Sequence, residues 1–262
     1  MNVNRKVLSR LLAFTASWIS MAGPTLSAAT PADAARTSSV RCERRSAYAI
    51  TSEHEGRLTS SLRRITGLGA LQFAPDGSLS LGVWSVAAGG SAEARRILIS
   101  AVSAGVTFVI EDYSGSSSVN FGQAEREQIY DPRRGRNSQV WRLRLDFDDF
   151  RQMNAPSELR ATFDEGFTLL HELLHGLGYE DASRNQELGA CEEIVNRVRG
   201  ELGLPLRDQY FGETWRITER LTSVRLRFRS PTGDKNSARW QSHYLSFLLA
   251  RSGDDSNSAF ER

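Results

Sequence analysis

The sequence predicts an α+β fold in which a small mixed sheet packs on one helix and a second helix follows. Over residues 157–177 apolar residues recur three or four positions apart, the spacing of a helix with a buried stripe. Over residues 139–147 apolar and polar residues alternate, as in a half-buried strand. A Pro-Asp-Gly turn between two short alternating runs predicts a hairpin over 71–83. Strands and a hairpin that precede a helix in this way are typical of an α+β sandwich.

Residues 1–28 are predicted to be a secretory signal peptide. Basic residues precede an apolar run over 11–22, and small residues then lead to Ala28 and Ala29. The run is too short for a membrane-spanning helix. Loss of the three positive charges takes the net charge from +2 to −1, so neither nucleic acid nor a membrane is expected as a partner of the mature chain. That chain is expected to be periplasmic or secreted.

Residues 29–45 are rich in small residues and are predicted to be an extended lead-in to the domain. Helices are then expected over 46–66 and 92–103, and a short apolar strand over 106–110. His54 has no partner nearby in sequence, so we interpret it as a surface residue.

The alternating run over 139–147 is expected to lie at a sheet edge, preceded by a loop over 131–137. An edge strand beside a hydrolytic site can pair with an extended peptide by strand addition. A plain sheet strand with one solvated face is the alternative.

The segment His171-Glu172-Leu173-Leu174-His175 lies within the predicted helix and reads H-E-x-x-H. Residues four apart share a helix face, so the two imidazoles can bind one metal ion. Glu172, one position round, can reach a metal-bound water without being a ligand. The chain has only four histidines, so the motif favours a zinc site over a pair of core histidines.

A third ligand must complete such a site, and two carboxylates compete for the role. Asp181 follows Gly178 in the extended pattern H-E-x-x-H-x-x-G-x-x-D, although it is also placed to cap the next helix. Glu192 lies on that next helix, which runs to about Leu202, and Glu193 and Glu187 are further candidates. Helical phase favours Glu192.

Residues 139–211 resemble bacterial H-E-x-x-H zinc metallopeptidases of the effector-peptidase kind. After the motif they share a Glu-bearing helix with an Asn-Arg pair and a Leu-Pro-x-Arg-x-x-Tyr segment. The resemblance implies a zincin-like catalytic domain over 46–230 and, as in gluzincins, zinc bound by His171, His175 and Glu192. The pattern that ends at Asp181 is similar to that of metzincins, where the usual third ligand is His. Metzincins also carry a downstream Met, whereas every Met here precedes the motif.

Three further expectations concern the second half of the chain. Tyr210 follows the second helix closely enough to approach the metal and donate a hydrogen bond to an oxyanion, as does Arg207. Cys42 and Cys191 are an even pair in an exported chain and are expected to form a disulfide; the alternative is two free thiols, or Cys191 as the third metal ligand. Strands are expected at 214–218 and 223–228, and a short helix at 240–249 within a C-terminal segment, 231–262, that ends in a flexible tail.

These observations predict an exported zinc metallopeptidase that acts on a peptide or protein substrate, with Glu172 as general base. The alternative is a non-catalytic periplasmic or secreted zinc-binding module with the same fold. Glu172 separates the two hypotheses, because a protein that only binds zinc needs no base there.

Overall fold

The computed structural model describes residues 39–82, 89–132, 135–182, 188–218, 221–231 and 240–250. The signal peptide and the C-terminal tail predicted from the sequence lie outside these ranges, as does Glu187. The elements in chain order are β1 (Val40–Cys42), α1 (Ser52–Thr66), β2 (Gln72–Phe73), β3 (Leu79–Ser80), α2 (Ala92–Val102), β4 (Thr107–Asp112), β5 (Gly122–Asp131), β6 (Arg136–Leu145), α3 (Phe147–Gln152), α4 (Ser157–Arg160), α5 (Glu165–Gly176), α6 (Gly189–Glu201), β7 (Leu206–Arg207), β8 (Glu213–Thr218), β9 (Leu221–Pro231) and β10 (Trp240–Ala250).

The first sheet has the strand order β1-β4-β6-β5. Strands β1, β4 and β6 run parallel, and β5 pairs antiparallel with β6 at the edge. The predicted strand over 139–147 is therefore confirmed as β6, but its predicted place at the edge is wrong. Its arginine face lies between two acidic neighbours: Arg142 pairs with Glu111 of β4 and Glu127 of β5. Period-two alternation shows that one face is polar, not that the strand lacks a neighbour.

Helix α5 lies at the centre of the main core and contacts α1, α2, α6, β5 and β6. The predicted single helix over 157–177 is wrong, because α4 and α5 are separate helices. Asp164 begins α5: its carboxylate accepts hydrogen bonds from the backbone N–H groups of Gly166 (3.1 Å) and Phe167 (3.2 Å). Apolar side chains cover most of α5, which buries its residues from Glu165 to Leu174.

A second sheet, with β9 between β10 on one side and β7 and β8 on the other, follows α6. Its inner face forms a second hydrophobic cluster with residues in and beside α3 and α4 and with Phe121, which immediately precedes β5. The expected helix over 240–249 is wrong: β10 pairs with β9 along its whole length, and Leu245 and Phe247 point inward. The strands expected at 214–218 and 223–228 are confirmed as β8 and β9.

Other expectations have mixed outcomes. Helix α1 (from Ser52), helix α2, strand β4 and the β2–β3 hairpin are confirmed. The lead-in contributes β1 to the first sheet. Of the predicted loop over 131–137, Asp131 belongs to β5 and Arg136 and Asn137 belong to β6, which pairs with it. No helix within the described residues is both long and apolar enough to span a membrane.

Two side-chain predictions are wrong. His54 is buried, with Nδ1 2.5 Å from Asp112 Oδ2 and its ring stacked on Phe147, because α1 lies against the end of β4. Cys42 and Cys191 are buried free thiols. Cys42 lies in β1, whereas the Cys191 sulfur lies 3.8 Å from His175 Nδ1. An even number of cysteines does not bring two of them together.

Candidate metal centre

His171 and His175 lie on the same side of α5, one helical turn apart, and direct their Nε2 atoms at one carboxylate. Nε2 of His171 is 3.0 Å from Asp181 Oδ1, and Nε2 of His175 is 3.2 Å from Asp181 Oδ2. Cys191 is the fourth potential ligand: one donor atom from each of these four residues lies within 4.8 Å of the others. The group could therefore hold a metal ion.

Asp181 reaches this position because the chain reverses after α5. Gly178 adopts φ of +91°, a left-handed conformation that glycine takes at little cost. Its N–H donates to the His175 carbonyl at 3.0 Å, and Asp181 then bridges to Gly189 at the start of α6. Asp181 does not cap α6, whose N-cap is Leu188.

One buried oxygen of Asp181 indicates that a cation fits here. Oδ1 has no hydrogen-bond partner within the described part of the chain, although His171 Nε2 lies 3.0 Å away with unsuitable geometry. A buried acceptor without a donor is costly. Two imidazoles and a carboxylate form a donor set that suits zinc, and a cation bound between them would satisfy this oxygen.

The titratable groups of the cluster perturb one another strongly. Burial lowers the pKa of His171, but the adjacent carboxylates of Asp181 and Glu192 outweigh it and raise the pKa to about 10. Burial likewise opposes the shift at Asp181, whose pKa the two imidazoles hold well below its usual range. These groups form a compact set of ion pairs, and a metal that bound to them would displace protons.

Glu172 is buried beside the cluster but forms no ion pair with His171 or His175. Its side chain packs against Gly122 at the start of β5, where a Cβ atom would lie 2.9 Å from Glu172 Oε1 and 2.5 Å from Thr168 Cγ2. Burial raises the pKa of Glu172, although the charges of His171 and His175 lower it. A buried carboxyl with a raised pKa is a stronger proton acceptor than an exposed one.

Glu192 lies on the other side of the His171 ring. Its Oε2 is 3.3 Å from His171 Nδ1, and its carboxylate also pairs with Arg199 and Arg207. Burial opposes ionisation, but the two guanidinium groups hold the pKa of Glu192 well below its usual range. The structure thus brings Asp181 to the Nε2 atoms of both histidines and Glu192 to the Nδ1 atom of His171 alone. Glu193, on the same helix, is exposed.

Tyr210 reaches the cluster through its hydroxyl group. The O–H donates to Asp181 Oδ2 at 2.5 Å, and the phenol ring stacks on His171 with centroids 5.9 Å apart. Arg207 does not reach the cluster directly but contacts Glu192 and the Tyr210 carbonyl. Sequence reasoning missed the role of Gly122, and it favoured a disulfide over the alternative in which Cys191 lies at the metal site, where the structure places its sulfur beside His175. Both contacts arise because α5 packs against β5 and α6, and no local sequence pattern predicts this packing.

Comparisons with protein-family models, with curated proteins and with solved structures found no match. What this site does is therefore inferred from its own residues.

Proposed function

We propose that this chain is an exported zinc-dependent metallopeptidase with a zincin-like catalytic domain. His171, His175 and Asp181 would hold the zinc ion, and Asp181 takes the place of Glu192 in the ligand set. The observation that carries the proposal is the position of Glu172: a buried carboxylate next to the ligands, yet paired with none of them. A site that only stored metal would have no use for such a group.

Zinc, when bound, acidifies a coordinated water and polarises the substrate carbonyl. Glu172 would accept the proton from the attacking water at its carboxylate and pass it to the leaving amine. Its raised pKa suits both steps. Tyr210, whose hydroxyl contacts Asp181, would donate a hydrogen bond to the developing oxyanion once that contact loosens.

Strand β5 supports a peptide or protein substrate. It is an edge strand, and its first residue touches Glu172. An extended peptide can add to such an edge with its scissile bond near the base. This moves the proposed strand addition from β6, which has neighbours on both sides, to β5. The predicted export and the near-neutral mature chain favour periplasmic or secreted peptides over nucleic acid or membrane.

The test is Glu172→Gln, measured by casein hydrolysis and by zinc content. We expect the variant to keep one zinc per chain and to lose at least about a hundredfold in activity, since general-base catalysis contributes that much. A chelator should abolish hydrolysis by the unmodified chain. Full activity of Glu172→Gln would refute the mechanism.

The second candidate is a non-catalytic zinc-binding module, and Cys191 is the observation that favours it. If the thiol joined the two histidines and Asp181, four protein ligands would close the site and leave no position for water. Cys191→Ala separates the two functions. A closed site predicts much weaker zinc binding and no hydrolysis of casein by any form, whereas the peptidase keeps both zinc and activity.

A further inference from the structure

Glu192, on α6, is almost completely buried, at 1 % exposed, and it contacts three cationic or imidazole groups. Oε1 accepts a hydrogen bond from Arg199, and Oε2 accepts one from Arg207 at 3.1 Å. Oε2 also faces His171 Nδ1 at 3.3 Å. That nitrogen is buried and has no hydrogen-bond partner of good geometry within the described residues. Glu192 is the carboxylate placed to supply one.

Arg199 fixes the carboxylate from the core side. It is 1 % exposed; its Nε donates to the Thr162 carbonyl at 3.0 Å, and its Nη1 donates to Asn196 Oδ1 at 2.9 Å. Phe167 and Phe228 lie 5.2 and 5.7 Å from its guanidinium carbon. A buried charge held by this many contacts has little freedom to move, so Glu192 cannot turn toward the ligand cluster without leaving Arg199 unpaired.

Arg207 extends the same set of contacts to Tyr210. Its backbone forms two hydrogen bonds of 2.8 Å with the Asn196 side chain, one in each direction. Its guanidinium joins Glu192 to the Tyr210 carbonyl. The Tyr210 hydroxyl in turn reaches Asp181. The Glu192 carboxylate therefore contacts both Nδ1 of His171 and Arg207, the residue that binds the Tyr210 carbonyl.

We infer that Glu192 is a positioning residue rather than a ligand: with Arg199 and Arg207 it orients the His171 ring toward the metal and holds the Tyr210 segment against Asp181. The inference rests on the proposed metal site. A ligating His commonly donates its second ring nitrogen to a carboxylate, which fixes the tautomer and the ring, and loss of such a partner costs about ten- to a hundredfold in metal affinity. His171 Nδ1 and Glu192 Oε2, 3.3 Å apart, are placed for such a contact.

The experiment compares zinc affinity, by competition with a chromophoric chelator, and the visible spectrum of the cobalt-substituted chain. Glu192→Gln should weaken zinc binding about ten- to a hundredfold and leave the cobalt spectrum that of an unchanged ligand set. Asp181→Ala should lose metal almost completely. Glu193→Gln, an exposed change at the adjacent position of α6, is the matched control and should change neither quantity.

Two outcomes overturn the inference. Zinc affinity of Glu192→Gln equal to that of Glu193→Gln means that Glu192 positions nothing. Loss as complete as in Asp181→Ala, with an altered cobalt spectrum, makes Glu192 a ligand. If Glu192→Gln does not fold, Arg207→Gln decides, because it keeps the Arg199–Glu192 pair: about tenfold weaker zinc binding supports the inference, and unchanged binding overturns it. Neither readout needs substrate, so failure here is distinct from failure of the peptidase proposal, which Glu172→Gln tests.

Discussion

Gly122 sets how closely strand β5 approaches Glu172. Its Cβ position lies 2.5 Å from Thr168 Cγ2 and 2.9 Å from Glu172 Oε1, so an alanine would displace one of them. We expect Gly122→Ala to lower the rate of casein hydrolysis about ten- to a hundredfold, because catalysis is sensitive to displacements on the order of 1 Å. Zinc content should stay at the level of the unmodified chain.

Gly69→Ala is the control for this substitution. Gly69 is exposed, and a Cβ atom there would meet nothing within 4 Å. The Gly69→Ala variant should therefore hydrolyse casein at the rate of the unmodified chain. Unchanged hydrolysis by zinc-loaded Gly122→Ala would show that β5 does not position Glu172, the proposed base.

At the residue scale the sequence predicts side chains that lie within one short segment. The spacing of His171, Glu172 and His175 along one helical turn predicts that they lie together, and they do in the structure. The choice between Asp181 and Glu192 depends on the path of the chain after Gly178 and on which face α6 turns to α5. Neither is a local property of the sequence. Helical phase alone therefore favours Glu192, which lies on the Nδ1 side of the His171 ring and not among the ligands. His54 was misjudged for the same reason, since its partner Asp112 is distant in sequence.

At the scale of elements, short helix α3 holds the start of β5. Asp149 accepts a hydrogen bond from the Phe121 N–H at 2.9 Å, and Phe121 has a left-handed φ of 60°, uncommon for a bulky residue. Burial raises the pKa of Asp149 to about 6, although this hydrogen bond lowers it. The folded chain therefore keeps a proton that the unfolded carboxyl has already lost.

The sign of the pH dependence follows. Between about pH 4 and pH 6 the folded state binds more protons at Asp149, so its contribution to the free energy of unfolding falls as pH rises and is level above pH 6. Asp149→Asn has no such titration and can still accept the Phe121 N–H. We expect its stability relative to the unmodified chain to increase from pH 4 to pH 6, measured by urea unfolding with chelator present. A pH-independent difference would contradict the raised pKa.

Elements differ in how far the sequence predicts them. Helices α1 and α2 have Ser or Thr caps before an amphipathic run, and their existence follows from local pattern. The apolar pattern over 157–177 does not reveal the break before α5. Asp164 is in an extended conformation and interrupts the helix, but the apolar residues keep their helical spacing across it. In β10 the alternation of Leu245 and Phe247 with exposed Tyr244 and Leu248 fits a strand, and the apolar content alone was misleading.

At the scale of the whole molecule, the second hydrophobic cluster packs against the residues that support the candidate metal centre. Phe228, on β9, is fully buried in that cluster and also lies 5.7 Å from the Arg199 guanidinium carbon. Phe228→Ala should lower the free energy of unfolding by about 3–5 kcal/mol, as loss of a large core side chain does. We also expect zinc affinity to fall, because Arg199 loses one of the rings that hold it.

Leu248→Ala is the matched change on the outer face of the same sheet. Leu248 is 50 % exposed, so its stability should change by no more than about 0.5 kcal/mol and its zinc affinity should not change. Chemical unfolding and chelator competition measure both effects. If zinc affinity in folded Phe228→Ala equalled that of Leu248→Ala, the second sheet would be independent of the site.

The α+β class follows from the sequence, but the order of strands does not. Pairings such as β1 with β4 join residues about 70 positions apart, Val40 with Phe108. Such pairings depend on how the helices and strands pack together in three dimensions. The alternation of residues in β6 therefore could not show that β5 is the edge strand next to Glu172.

Strand β1 limits how far the chain tolerates N-terminal trimming. It forms the border of the first sheet opposite β5, and the Phe108 N–H donates to the Ser39 carbonyl at 2.6 Å. Cleavage of the proposed leader at Ala28 or Ala29 would leave this border intact, whereas a protease that cut beyond Cys42 would expose the backbone of β4 to self-association. Recombinant versions should therefore begin before Ser39.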